Sequence, residues 1–108
     1  MELAPQQIAI LERLQGRGYQ IVAFPMYASH VGVRKGNCAA LLAPAASGGL
    51  ALFGRASYLI DGNFSVRVTS GGRDWLVWKK NKLEATPARL AEIDVFTAEL
   101  SEALIPTL

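Results

Sequence analysis

Apolar residues recur at helical spacing at both ends of the chain and at shorter, strand-like spacing between them. Near the amino terminus, Ile8, Leu11 and Leu14 follow one another at intervals of three, with polar residues between them. This spacing places the three side chains on one face of a helix. A proline that suits a first helical turn and a glycine that suits a helix end predict that this helix covers residues 5–16.

A second helix is predicted near the carboxyl terminus, after a polar connection over residues 79–85. Thr86 is a suitable N-cap, and Pro87 suits the first helical position. The apolar residues that follow recur at intervals of three or four: Leu90, Ile93, Phe96, Leu100 and Leu104. The helix is expected to end by Pro106, because proline cannot continue it.

The segments between the helices have the composition of short strands joined by tight turns. Residues 19–27 are rich in β-branched and aromatic types, and Pro25 either makes them an edge strand or ends the strand there. Gly36 and Asn37 tolerate the positive φ of a hairpin turn between two further strands. The first four strands are therefore predicted over residues 19–27, 31–35, 38–43 and 50–60.

The turn after residue 60 decides which side chains face one another. A two-residue turn would place the alternating apolar residues of the next strand opposite Ser57 and Arg55 as well as Leu59. A three-residue turn over 61–63 makes every facing pair apolar: Phe64 with Ile60, Val66 with Tyr58 and Val68 with Ala56. Because a slip of one residue moves a whole strand to the other face, we predict the three-residue turn.

Two glycines at positions 71 and 72 predict a second hairpin, with its last strand over residues 73–79. The two-residue turn gives two facing pairs that are expected to continue the core face: Val66 with Val77 and Val68 with Trp75. Leu76 and Trp78 then fall on the other face, beside Ser65 and Arg67. A strand that is apolar on both faces either lies between two layers or exposes an apolar patch.

Together these elements predict one α+β domain over residues 1–108 of the 108-residue chain. An N-terminal helix is followed by a five- or six-stranded, mostly antiparallel meander sheet and a C-terminal helix, with both helices packed on one sheet face. Two helices of about 12 and 18 residues are too small to cover both faces of such a sheet. We therefore expect the other face to be available to a partner.

Composition narrows the environment of the protein. The chain is 51% hydrophobic and 19% charged, as in folded globular domains. Its longest wholly apolar stretch, residues 39–46, is far below the ~20 residues that span a membrane, and its first residues lack the features of a secretory signal. The lone cysteine, Cys38, agrees with a reducing compartment. We expect a cytoplasmic protein with no membrane partner.

The small net charge of +2 is unevenly distributed along the chain. Residues 1–83 carry ten Lys or Arg and four acids, whereas residues 84–108 carry one Arg and five acids. The two parts therefore have formal charges of +6 and −4. Such an asymmetry is either compensated within the fold or leaves a basic face for an anionic partner. We expect partial internal compensation.

Few residues are candidates for catalysis. With one histidine, His30, and one cysteine, Cys38, the chain cannot supply the four ligands of a zinc site, and no metal, cofactor or catalytic residue is assigned. Cys38 is interpreted as a small buried apolar residue and His30 as a turn residue. A thiol enzyme that uses both is the weakest alternative. Asp61 and Asp74 are expected to cap backbone N–H groups in turns.

A non-catalytic binding or assembly module is the function that this pattern favours. The predicted interface is centred on Leu59, Leu76 and Trp78 with Arg67 at its rim, because Trp and Arg are enriched among the residues that dominate protein interfaces. A two-fold axis lets one apolar patch bind the same patch of a second copy. The expected partner is therefore a second copy, giving a homodimer, or another protein.

Binding of single-stranded nucleic acid is the alternative. Proteins with this function stack bases on exposed aromatic rings and contact phosphates with Lys and Arg. Such residues cluster within and around the strand over residues 73–79: Arg67, Arg73, Trp75, Trp78, Lys79, Lys80 and Lys82.

Overall fold

A computed structural model describes residues 3–24, 27 and 29–104 of the chain. Within these residues there are two helices, α1 Pro5–Gly16 and α2 Pro87–Leu104. The strands between them are β1 Gln20–Val22, β2 Val31–Lys35, β3 Cys38–Pro44, β4 Leu50–Ile60, β5 Asn63–Phe64, β6 Val66–Ser70, β7 Arg73–Trp78 and β8 Asn81–Glu84. They form a five-stranded sheet, β1 to β5 in chain order, and a three-stranded sheet, β6 to β8.

The five-stranded sheet is antiparallel throughout. Its β2–β3 hairpin turns at Gly36 and Asn37 as predicted, and Lys35 faces Cys38. Gly36 has φ 62°, which glycine adopts without a steric cost. The register of β3 against β4 shifts between Ala39 and Leu41, so the long strand β4 is irregular near its centre.

Both helices pack on the same face of this sheet, which confirms the predicted α+β architecture. The core contains residues of both helices, of the sheet and of the connection between α1 and β1. These are Ile10, Leu11 and Leu14 of α1; Tyr19 before β1; Val31, Val33, Cys38, Ala40, Leu42 and Leu50 of the sheet; and Phe96, Leu100 and Ala103 of α2. In α1 the buried stripe differs from the predicted one, because Ile8 is 44% exposed whereas Gln7 and Ile10 are buried. Gln7 is satisfied there by donating a hydrogen bond to the carbonyl of Gly49.

The opposite face of the five-stranded sheet is partly covered by aromatic side chains. The ring of Phe24 lies against Gly32 and its centroid is 4.6 Å from that of Phe64. Tyr27 packs edge-on against Phe64, with centroids 5.7 Å apart. The chain itself therefore shields part of the face that the helices leave uncovered.

The three-stranded sheet contains the second predicted hairpin. β6 and β7 turn at Gly71 and Gly72, whose φ values of 63° and 76° fit a two-residue hairpin turn. Both predicted facing pairs are present, which confirms the register: Val66 with Val77 and Val68 with Trp75. The sequence predicts only a polar connection at residues 79–85, but Asn81–Glu84 forms β8 and pairs with β7.

The predicted three-residue turn after β4 is wrong. The turn consists of Asp61 and Gly62, with φ 51° and 75°, and Leu59 faces Phe64 across it. Two successive positive φ values favour the two-residue turn, whose twist matches that of the flanking strands. This local preference determines the register here.

The ladder between β4 and the next strand ends at Ser65. The Ser65 hydroxyl donates to the carbonyl oxygen of Tyr58, and the Ser57 hydroxyl donates to the carbonyl oxygen of Ser65. Because hydroxyl groups take over these positions, the strand pairing stops and β6 diverges from β4. The three-residue turn would have placed Val66 and Val68 opposite β4. Because the ladder ends before them, they do not face β4.

The ends of the elements are otherwise close to expectation. Thr86 caps α2 by accepting a hydrogen bond from the N–H of Arg89 at 3.3 Å. β1 ends at Val22, and the predicted effects of Pro25 and Pro106 lie outside the described residues. Neither α1 nor α2 is long and apolar enough to cross a membrane.

Candidate protein interface on the three-stranded sheet

The two faces of the three-stranded sheet have different chemistry. Side chains alternate along each strand, so the facing pairs divide them into two sets. We call one set the outer face, which contains Val66, Val68, Ser70, Arg73, Trp75, Val77, Lys82 and Glu84. The other set, the inner face, contains Arg67, Thr69, Asp74, Leu76, Trp78, Asn81 and Leu83.

The outer face is apolar and exposed. Val66 and Val68 on the edge strand β6 are 64% and 42% exposed, and their cross-strand partners Val77 and Trp75 are half-buried. The Lys82 ammonium lies 4.4 Å from the centre of the Trp75 ring, where a cation interacts favourably with the ring electrons. Two exposed and two half-buried apolar side chains thus lie side by side on this face.

The charges around the outer face have both signs. The Nη1 atom of Arg73 lies 3.7 Å from the Oε1 atom of Glu84, and Lys82 adds a second positive charge. In the five-stranded sheet, the Nζ atom of Lys35 similarly lies 3.7 Å from the Oε2 atom of Glu99 on α2. These two pairs join basic residues to acids of the carboxyl-terminal part of the chain, in the way the charge asymmetry predicts.

The inner face is polar at one end and buried at the other. Arg67 donates to Asp74 at 2.6 Å, and the Thr69 hydroxyl donates to the same carboxylate at 2.6 Å. These hydrogen bonds hold the pKa of Asp74 below its usual value. Asp74 therefore holds two side chains of the facing strand β6 at the polar end. At the buried end, Leu76 is only 2% exposed.

A cleft of about 700 Å³ separates the three-stranded sheet from β4 and α2. Leu76, Leu90 and Ile93 contribute apolar surface to it, and Arg55 and Asp94 contribute charges. The cleft opens where β6 diverges from β4 at Ser65. Its volume lies in the range of known ligand-binding sites.

The structure distributes the predicted interface residues over several places. Arg67 and Leu76 line the cleft, whereas Leu59 lies in the other sheet, opposite Phe64. Trp78 is half-buried, and the Lys79 ammonium lies 5.3 Å from its ring centre. Lys80 and Lys82 are exposed, at the turn between β7 and β8 and on β8.

The sequence assigns the wrong face of β6 and β7 to the core. Val66 and Val68, predicted to face the core, are exposed, whereas Leu76, predicted on the opposite face, is buried. Trp75 and Val77 are half-buried. Alternation identifies which side chains share a face, but it does not indicate which face a helix will cover. The sequence therefore indicates that the strand is apolar on both faces, but it does not indicate which of the two faces is exposed.

Cys38 does not have the properties of a catalytic thiol. It is 1% exposed, and burial, with a smaller contribution from the Glu92 carboxylate, raises its pKa to about 11. The side chain of His30 stacks on Phe53, with ring centroids 4.1 Å apart. Cys38 is instead part of the core cluster, packed under the helices.

We expect the Cys38 thiol to react with iodoacetamide at pH 8 at least roughly a hundredfold more slowly in the folded protein than in urea, because thiolate is scarce and shielded. Mass spectrometry of timed samples measures both rates. Equal rates in the two conditions would contradict the buried, protonated thiol and would revive the thiol-enzyme alternative.

Among the described residues, no group of three or more His, Cys, Asp or Glu side chains is arranged to hold a metal ion. In comparisons with known proteins, no family model matches the chain, and no curated protein or solved structure has significant similarity to it. Function must therefore be inferred from the fold and its surfaces.

Proposed function

We propose that this protein is a non-catalytic assembly module that self-associates through the outer face of its three-stranded sheet. The supporting observation is the apolar surface formed by the exposed Val66 and Val68 with the half-buried Trp75 and Val77. Sheets in folded proteins pack an apolar face against a second layer. Within the described residues both helices pack on the five-stranded sheet, which leaves the outer face free to pack against another molecule.

The charges of the outer face favour a second copy as that layer. A two-fold axis brings each surface against itself, so a self-binding surface needs both signs of charge. Arg73 and Lys82 provide positive charges, and Glu84 provides a negative one. A strongly acidic or basic partner would require a surface of one sign, which this face does not present.

Light scattering coupled to size-exclusion chromatography tests the proposal. Wild-type protein is expected to change from monomer to dimer between about 1 µM and about 1 mM. Val66→Glu should weaken association by roughly a hundredfold or more, because each copy would place an unpaired carboxylate in the apolar interface. The folded monomer should tolerate this change, since Val66 is 64% exposed.

Val95→Glu is the matched control. Val95 is 56% exposed on α2, so the same chemical change occurs at a comparable surface position away from the three-stranded sheet. The control should dimerise like wild type. The proposal fails if wild type remains monomeric at the highest concentration, or if Val95→Glu prevents dimerisation and Val66→Glu does not.

Single-stranded nucleic acid remains the second candidate. The observation that favours it is the pairing of Lys79 with Trp78 and of Lys82 with Trp75, because basic and aromatic groups alternate along single-strand binding sites. This function predicts tryptophan quenching by an oligothymidylate at low salt that disappears at high salt. Lys82→Ala should reduce the quenching, and Val95→Glu, on the exposed side of α2, should not.

A further inference from the structure

The cleft lies between two strands that are not paired with each other. β4 pairs with β3 on one side, and its pairing with β5 covers only Leu59 and Ile60. β6 pairs only with β7. The facing sides of β4 and β6 are therefore both strand edges, and Val66 and Arg67 of β6 line the cleft between them.

The hairpin register identifies the free backbone groups on β6. Ser70 and Arg73 flank a two-residue turn, so they form a hydrogen-bonded pair, and such pairs alternate along an antiparallel ladder. Val68 and Val66 accordingly direct their backbone groups towards β7. Arg67, which lines the cleft, and Thr69, two residues further along the same edge, direct their N–H and C=O groups away from β7.

Such an edge binds an extended peptide backbone. An added strand takes its affinity from main-chain hydrogen bonds and its specificity from alternate side chains that enter pockets. Leu76, Leu90 and Ile93 provide apolar surface for one set of side chains. An extended backbone can replace the water on the exposed N–H and C=O groups of Arg67 and Thr69 along their whole spacing, whereas a small compact ligand cannot.

The cleft also indicates a charge preference. Arg55 lines it from β4, is exposed, and has no hydrogen bond or salt bridge within the described part of the chain. Arg67, in contrast, is already paired with Asp74 at 2.6 Å. A carboxylate on the ligand would complement Arg55 at the part of the cleft away from Asp94, which also lines it.

We infer that the cleft binds an extended peptide segment that pairs with the β6 edge as an additional strand. The segment alternates apolar residues, which contact α2 and Leu76, with polar residues that include an acid for Arg55. This inference does not rest on self-association, although Val66 is common to the cleft and the outer face.

The test uses the blocked peptide Ser-Val-Asp-Val-Thr-Val-Ser as probe and compares Thr69→Pro with Thr69→Val. Both variants lose the hydroxyl that bonds to Asp74, but only proline removes the outward N–H, and proline is tolerated on an edge strand. Titration calorimetry should give roughly tenfold weaker binding or more for Thr69→Pro, with Thr69→Val close to wild type.

A second measurement does not depend on any variant. In the same peptide with N-methyl groups on alternate residues, the backbone N–H groups along one edge are replaced and cannot donate hydrogen bonds to β6. Wild-type protein should not bind this peptide. The inference is overturned if the unmodified peptide does not bind, if the N-methylated peptide binds equally well, or if Thr69→Pro retains full affinity. Light scattering on Thr69→Pro should still show dimers, which separates this failure from a failure of self-association.

Discussion

Gly32→Ala is expected to lower the free energy of unfolding by about 3 kcal/mol, because the added methyl group has no space. A Cβ at this position would overlap the carbonyl oxygen of Val22 on the neighbouring strand and the ring of Phe24. The first is backbone and cannot move without disturbing the β1–β2 pairing. Urea unfolding followed by circular dichroism, at one fixed protein concentration, measures the change.

Gly16→Ala is the matched control for this prediction. Nothing lies within 4 Å of a Cβ built at Gly16, the last residue of α1. Its unfolding free energy should stay within about 0.5 kcal/mol of wild type. If Gly32→Ala unfolds at the same urea concentration as Gly16→Ala, then Phe24 does not cover β2 as described.

Leu100→Ala is expected to cost about 3 kcal/mol of unfolding free energy. Leu100 is fully buried between α2 and the sheet, and its truncation leaves a cavity that the surrounding side chains fill only in part. The same urea experiment measures the loss. The result tests whether α2 covers the five-stranded sheet through this side of the helix.

Val95→Ala provides the comparison on the same helix. Val95 is 56% exposed, so its truncation should change stability by no more than about 0.5 kcal/mol. Similar losses for Leu100→Ala and Val95→Ala would mean that α2 is rotated relative to the sheet, and the boundaries of the cleft would then change as well.

The order of the elements could be predicted because each has a local cause. The cap at Thr86, the proline after it and the spacing of Phe96 and Leu100 define α2 without reference to the rest of the fold. The paired glycines at 71 and 72 fix the register of β6 and β7. Local backbone preferences and short-range periodicity are legible in one sequence.

The turn after β4 could not be predicted by maximising apolar pairs. Asp61 and Gly62 adopt positive φ, and Ser65 ends the ladder through its hydroxyl group. A short backbone preference and one side-chain hydrogen bond therefore determine the register, although the slipped register pairs more apolar residues. Because the ladder ends at Ser65, β6 does not pair with β4, and its apolar residues form no cross-strand pairs with that strand.

The functional surfaces depend on how separate elements pack, which the sequence does not encode locally. Leu76 is buried because it lies towards the cleft and α2, and Val66 and Val68 are exposed because nothing described lies over them. The cleft itself results from the divergence of two strands. The cleft could not be predicted without the relative positions of β4, β6 and α2.

A dilution series followed by amide NMR tests the assembly surface most directly. From about 1 mM to about 10 µM protein, we expect resonances of Val66, Val68, Trp75 and Val77 to shift together as dimers dissociate, while those on the exposed side of α2 stay fixed. Resonances that do not change over this range, or shifts that centre on Val95 and its neighbours, would contradict assembly through the outer face.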